Sequence, residues 1–146
     1  MILISHRGNI NGKQLDLENN PSYIDAALNL NYEVEIDIWR IGNIFSLGHD
    51  QPQYEITYNW VLDRFDKLWV HCKNLSAIEF FVESKSKLNY FWHQEDEVTL
   101  TSHGYIWAYS GKQPIKNSIA VIPEIYNDDI TQCKGICSDY IKNYKK

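Results

Sequence analysis

YEVEIDIWR, residues 32–40, alternates acidic and aliphatic side chains, setting Glu33, Glu35 and Asp37 against Val34, Ile36 and Ile38. A period of two is that of a β-strand, whose successive side chains point to opposite faces. Glu35 and Asp37 therefore share one surface, and the three aliphatic residues turn to the other. Two neighbouring carboxylates repel each other. In a buried place they need a cation, a basic side chain or water to offset the loss of hydration. A lone E-x-D triplet also fits a solvated edge strand with an acidic outer face, so its company in the chain decides. His6-Arg7-Gly8 follows the apolar run Met1 to Ile4, and Gly48-His49-Asp50 follows a second short apolar run. Three polar clusters are thus expected at three strand ends.

Working outward, residues 2–5 read as a buried strand, and 8–20 as a polar loop in which Leu15 and Leu17 tuck back. Asn20-Pro21-Ser22 starts a helix, with Asn20 as N-cap and Pro21 at the first helical position; it is expected to run to about Asn31. Ile41-Gly42-Asn43-Ile44 is a hairpin turn, since Gly and Asn tolerate positive φ, and the reversal returns His49 toward Asp37. Spacings of three and four predict helices over 57–67 and 75–82, and a short one over 128–134. Strands are expected at 68–72, 89–93, 105–109, 118–122 and 136–138. Residues 95–104 are about the shortest crossover that parallel strands allow, so a full helix is not expected there. The count is about seven parallel strands and three good helices.

A chain of 146 residues suits one domain with a proper core. A net charge of −5 argues against a general nucleic-acid binder, whose affinity rests on Lys and Arg against phosphates. Cys72, Cys133 and Cys137 form no paired motif, which suggests neither a disulfide framework nor a zinc ribbon. No apolar stretch approaches the roughly 20 residues of a spanning helix, and no leader-like segment precedes the first strand. A cytoplasmic protein without stable membrane insertion is expected.

The ordered set HRG at 6–8, Glu18-Asn19, E-x-D at 35 and 37 and GHD at 48–50 resembles the glycerophosphodiester phosphodiesterases, in order and in spacing, over about the first third of the chain. Weaker echoes lie at Val70-His71-Cys72-Lys73 and at residues 135–139. The resemblance implies an α/β fold, a reduced TIM-type (β/α) barrel of about seven parallel strands whose helices are shortened or lost, because 146 residues is short for a full barrel. It implies that His6 and His49 act as the acid and base pair, with their assignment open. Glu35, Asp37 and His71 would hold a divalent metal ion (Mg, Ca, Mn or Zn). Arg7 and Lys73 would contact the substrate phosphate. Glu18, Asn19 and His93 would support the site, Glu18 by pairing with Arg7.

His71 stands where the family usually carries Glu, and imidazole suits zinc, manganese or iron better than magnesium or calcium. His93, Gln94 and Glu124 are expected at strand ends, lining the mouth or replacing the missing ligand. The expected function is hydrolysis of a small glycerophosphodiester. The alternative is a catalytically degenerate barrel that binds a phosphorylated polyol without turnover. Lost helices would bare apolar strand faces, for which a homo-oligomer is one cover.

Overall fold

The computed structural model describes residues 1–145. Its centre is a ten-stranded mixed sheet built from β1 (Ile2–His6), β2 (Glu33–Ile41), β3 (Ile44–Leu47), β4 (Tyr54–Ile56), β5 (Leu68–Cys72), β6 (Asn89–Phe91), β7 (Val98–Leu100), β8 (Ile106–Ala108), β9 (Ser118–Val121) and β10 (Gly135–Ser138). Parallel pairings run β6-β5-β2-β1-β10-β9-β8. Antiparallel pairings add β3 and β4 beyond β2, and β7 beyond β8. The sheet curls until the rings of Phe91 of β6 and Trp107 of β8 meet, tilted by 35° with centroids 4.7 Å apart. Among the described residues no ladder joins those two strands, so the curl is an open half-barrel.

This corrects the expected reduced TIM-type barrel. The described residues contain three short α-helices, α1 (Pro21–Asn29), α2 (Tyr58–Leu62) and α3 (Leu75–Glu83), all within the first 83 residues. The helix expected over 57–67 ends at Leu62, and 128–134 is no helix: the Asp129 carboxylate accepts from Thr131 N and Oγ1 and forms a turn. Residues 95–104 hold β7, an antiparallel strand that the sequence reading did not expect. The connections 109–117 and 122–134 carry Gly111, Pro114, Asn117, Pro123 and Asn127, which favour turns over helix. In this half the outer cover is loop and two 3-10 turns, Pro123–Ile125 and Ile141–Tyr144.

Local chemistry accounts for what did form. Asn20 Oδ1 accepts from Ser22 N at 2.9 Å and caps α1, and Pro21 opens it. Asn31, at φ +65°, turns the chain out of the helix. Gly42, at φ +59°, makes the β2–β3 hairpin, in which Ile41 faces Ile44. The convex face of β2 presents Val34, Ile36 and Ile38, fully buried with Phe45, Leu47, Val70 and Cys72 beneath Ile24, Ala27, Ala77 and Phe81 of the helices. Each such aliphatic side chain contributes about 1.5–3 kcal/mol of transfer free energy. The concave face has its own apolar floor, formed by Ile4, Trp69, Phe91, Trp107, Ile119 and Cys137. Above that floor, where the parallel strands reach their carboxyl ends, the concave side becomes polar. No helix of the described residues is long and apolar enough to cross a membrane.

Candidate functional site

Register brings the polar residues together. His6 pairs with Glu35 across β1 and β2, and Asp37 pairs with His71 across β2 and β5. Side chains of laterally paired residues share a face, so all four point into the concavity. Lys73 N extends the same ladder by donating to Ile38 O at 2.9 Å. A cavity of about 170 Å³ opens there, lined by His6, Glu35, His49, His71, Lys73 and Tyr109 among others. A second, of about 470 Å³, adjoins it through Arg7 and His49 and extends to Lys13, Glu18 and Gln51.

The HRG turn aims the first cluster. Arg7 is left-handed at φ +54° while its N–H still donates to Glu35 O at 3.0 Å, so the chain turns away immediately after β1. Gly8 follows at φ +94°, and a Cβ there would lie 2.6 Å from the Tyr23 ring. The turn sends the Arg7 guanidinium to Asp37 (Nε to Oδ2, 2.9 Å) and to Glu18 (Nη1 to Oε2, 3.1 Å). Asn19 clamps Asp37 from both ends: its Nδ2 donates to Asp37 Oδ2 and its Oδ1 accepts from Asp37 N, each at 2.9 Å.

His71 lies between the acidic pair and the backbone. Its Nε2 stands 2.7 Å from His93 O, and a carbonyl only accepts, so Nε2 carries a proton. Nδ1 then faces the carboxylates, 3.1 Å from Asp37 Oδ1 and 3.7 Å from Glu35 Oε1. Burial works against an imidazolium, but hydrogen bonding and charge from Asp37 and Glu35 outweigh it and push the His71 pKa up to about 9. Burial of Asp37 likewise disfavours its charge, yet His71, Arg7 and Lys73 (Nζ 3.7 Å away) hold it well below the usual carboxylate range.

These shifts set a pH dependence for metal-stripped protein. A group raised from 6.5 to about 9 contributes stability that is complete below pH 6.5 and is lost as pH climbs through 9. Asp37, being lowered, contributes above its ordinary pKa and loses that contribution in acid. The stability of the stripped protein is therefore expected to fall by up to about 3 kcal/mol between pH 7 and pH 9.5, with a falling melting temperature, and His71→Gln to flatten that limb. Parallel slopes in thermal melts of the two proteins would discard the His71 assignment.

Glu35, Asp37 and His71 are the one group of metal-ligating side chains among the described residues whose donor atoms converge, all within 4.8 Å of one another. Once His71 Nδ1 is unprotonated, Glu35 Oε2 and Asp37 Oδ1 are buried without a hydrogen-bond donor. Unsatisfied buried carboxylate oxygens are costly, and a cation is a natural partner for them. With the His71 imidazole neutral, as a ligand must be, Glu18, Glu35, Asp37 and Asp139 outnumber Arg7 and Lys73 by two charges, an excess that a dication would balance. The residues present therefore fit a divalent ion.

His6 is held by a residue that motif reading left without a role. Asp139, just past β10, lies 2.7 Å from His6 Nδ1, and Asn9 Nδ2 bridges Asp139 (2.8 Å) and Glu18 (2.9 Å). The carboxylate fixes the proton on Nδ1 and leaves Nε2 to face the cavity, 3.9 Å from Glu35 Oε2. His49 has a similar but wetter arrangement, with Nδ1 2.7 Å from Asp50 Oδ1 and its side chain 42% exposed. Gly48 sets its approach, since a Cβ there would come 2.1 Å from Gln51 O. The sequence signals for Asp139 were its position at the end of an expected strand and its place in the weak echo at residues 135–139.

Of the other candidates, His93 and Gln94 line the same cavity, and Glu124 and Glu33 do not. His93 stacks on Tyr109 at 3.8 Å and its Nε2 lies 2.6 Å from Asp96 O, so it builds the wall opposite β2. Gln94 lines the cavity, and its carbonyl accepts from the Tyr109 hydroxyl at 2.7 Å. Glu124 accepts from Ser138 Oγ at 2.7 Å and does not join the ligand group. Glu33 accepts from Trp69 Nε1 at 2.6 Å, toward the opposite mouth of the curl.

Compared with family models, with curated proteins and with solved structures, the chain matches none.

Proposed function

We propose that the chain is a metal-dependent phosphoric diester hydrolase acting on small glycerophosphodiesters, with His6 and His49 as its proton-transfer pair. The observation that carries this reading is the convergence of two imidazoles on one cavity, each oriented through Nδ1 by a carboxylate, above three metal-ligating side chains. A site that only bound a cation would have no use for that pair.

A dication held by Glu35, Asp37 and His71 would neutralise the non-bridging phosphoryl oxygens. Lys73 adds a positive charge at the cavity wall, while Arg7 is engaged by Asp37 and Glu18 and holds those carboxylates in position. One imidazole takes the proton of the attacking hydroxyl, a neighbouring hydroxyl of the substrate's own glycerol. The other protonates the departing alkoxide. The product of that step is a cyclic phosphate. Water then opens it, with the two histidines exchanging roles.

A second reading has its own support. Asp37 already has Arg7, Lys73 and His71 around it, so the chain's own cations go far toward offsetting the acidic pair, as suits a phosphate-binding protein without turnover. The test is hydrolysis of a panel of glycerophosphodiesters by metal-stripped protein resupplied with magnesium, calcium, manganese or zinc. Metal-dependent turnover that is lost in His6→Ala and His49→Ala is expected. Absence of turnover with every metal, in protein with a cooperative melt, would leave the binding reading.

A further inference from the structure

His71 is presented as a ligand with little freedom to turn. Its Nε2–H is engaged by His93 O, and its ring lies parallel to Phe91 (12° between planes, centroids 5.1 Å apart). A ring flip would break the first contact and put Cε1–H against the carbonyl in place of Nε2–H. A backbone acceptor on the far nitrogen is the usual device for fixing a metal-binding histidine. Nδ1 is thereby committed to the side of Asp37 Oδ1 and Glu35 Oε1, at 3.1 and 3.7 Å, on residues only 0% and 2% exposed, and with Nδ1 unprotonated the buried Asp37 Oδ1 and Glu35 Oε2 have no hydrogen-bond donor.

We propose that this group selects zinc, a borderline dication, over magnesium and calcium, and that the His71 imidazole is the source of the selection. The inference rests on the metal-dependent reading in taking the group to hold a dication, and adds which class. Magnesium demands near-octahedral oxygen at short range and parts reluctantly with water; calcium collects six to eight oxygens. Here the protein supplies two carboxylates and a nitrogen. Imidazole is a good donor to zinc and a poor one to either hard cation. Arg7 and Lys73 already lie against the Asp37 oxygens, which leaves that carboxylate less free for the several oxygen contacts a calcium shell needs.

Preference for zinc over magnesium would not by itself decide the matter, because most nitrogen and oxygen sites rank the metals that way. The informative quantity is how the ratio responds to the third ligand. Metal-stripped full-length protein is dialysed against buffered free zinc, manganese or magnesium, and bound metal is measured for the natural chain, His71→Ala and His71→Glu. One zinc per natural chain is expected. His71→Ala should weaken zinc on the order of 100-fold with little effect on magnesium, and His71→Glu should move the zinc-to-magnesium ratio toward magnesium by a similar factor.

Should the variants fold poorly, histidine-selective 15N spectra of the natural protein read the same point. Zinc should shift Nδ1 of one ring that keeps its Nε2 proton. Equal zinc affinity in the natural chain and His71→Ala, an unchanged ratio in His71→Glu, or no ring responding to zinc would each overturn the proposal. Binding and turnover remain separable. Zinc held through His71 without hydrolysis sinks the enzyme and keeps the metal class. Magnesium-supported hydrolysis indifferent to His71 does the reverse.

Discussion

Replacing His6 by alanine is expected to lower kcat on a responsive glycerophosphodiester by about 10²–10⁴, with a much smaller change in KM. The ring is buried, its Nδ1 is held by Asp139, and its Nε2 is the atom left facing the cavity. A residue used for proton transfer in the transition state, and hardly for ground-state binding, shows that split. Added imidazole should restore part of the rate, because the substitution leaves a ring-sized space beside the cavity. Asp139→Asn should also slow turnover: an amide can donate or accept, so it no longer fixes the proton on Nδ1. The alanine substitution leaves the Asp139 carboxylate short of a partner, so His6→Gln and thermal melts are needed beside it. A kcat within threefold of the natural chain, in a variant that melts cooperatively, would remove His6 from the mechanism.

Asp37→Ala is expected to destabilise metal-stripped protein by about 3–5 kcal/mol at pH 7, as loss of one partner of a buried ion pair does. For a chain of this size that corresponds to a fall of about 10–15 °C in Tm. Asp37 is fully buried, and its Oδ2 alone meets Arg7 Nε and Asn19 Nδ2, both at 2.9 Å. Removing it leaves a mostly buried guanidinium with Glu18 as its remaining ion-pair partner, and takes from Lys73 and His71 the carboxylate they share with it. The cost comes largely from that stranded charge. Arg7→Met combined with Asp37→Ala should therefore melt well above the value predicted by adding the two single effects. Strict additivity in the cycle, or a Tm fall below 3 °C in the single variant, would mean that Arg7 and Asp37 are solvated independently.

The alternation in residues 32–40 was enough to place Glu35 and Asp37 on one face and Val34, Ile36 and Ile38 on the other, and both faces are found so. The Gly42-Asn43 reversal and the Asn20-Pro21 helix start were equally legible. These features depend on strand period and on backbone preferences within a few residues, and such local terms can be read from a string of letters. The (β/α) architecture was not legible in the same way. Helical spacing at 57–67 and 128–134 described which side chains could share a face, but not whether a sheet lay there needing cover. Strands of three or four residues in the second half expose little outer surface, and turns rich in Pro, Gly and Asn suffice to cover it.

What only tertiary structure decided is the pairing of residues far apart in the chain. His6 and Asp139 meet because β10 returns beside β1, with Ser5 opposite Ser138; His71 meets Asp37 because β5 lies along β2 in that register and no other. A shift of one residue in either ladder would send those side chains to the opposite face. The amino-acid sequence by itself determined which chemical groups the protein owns and the local alternation that separates them into faces. Sheet register, set by packing over the whole chain, determined which of those groups touch, because hydrogen bonds and Coulomb interactions between side chains act over a few ångströms and carry no memory of sequence separation.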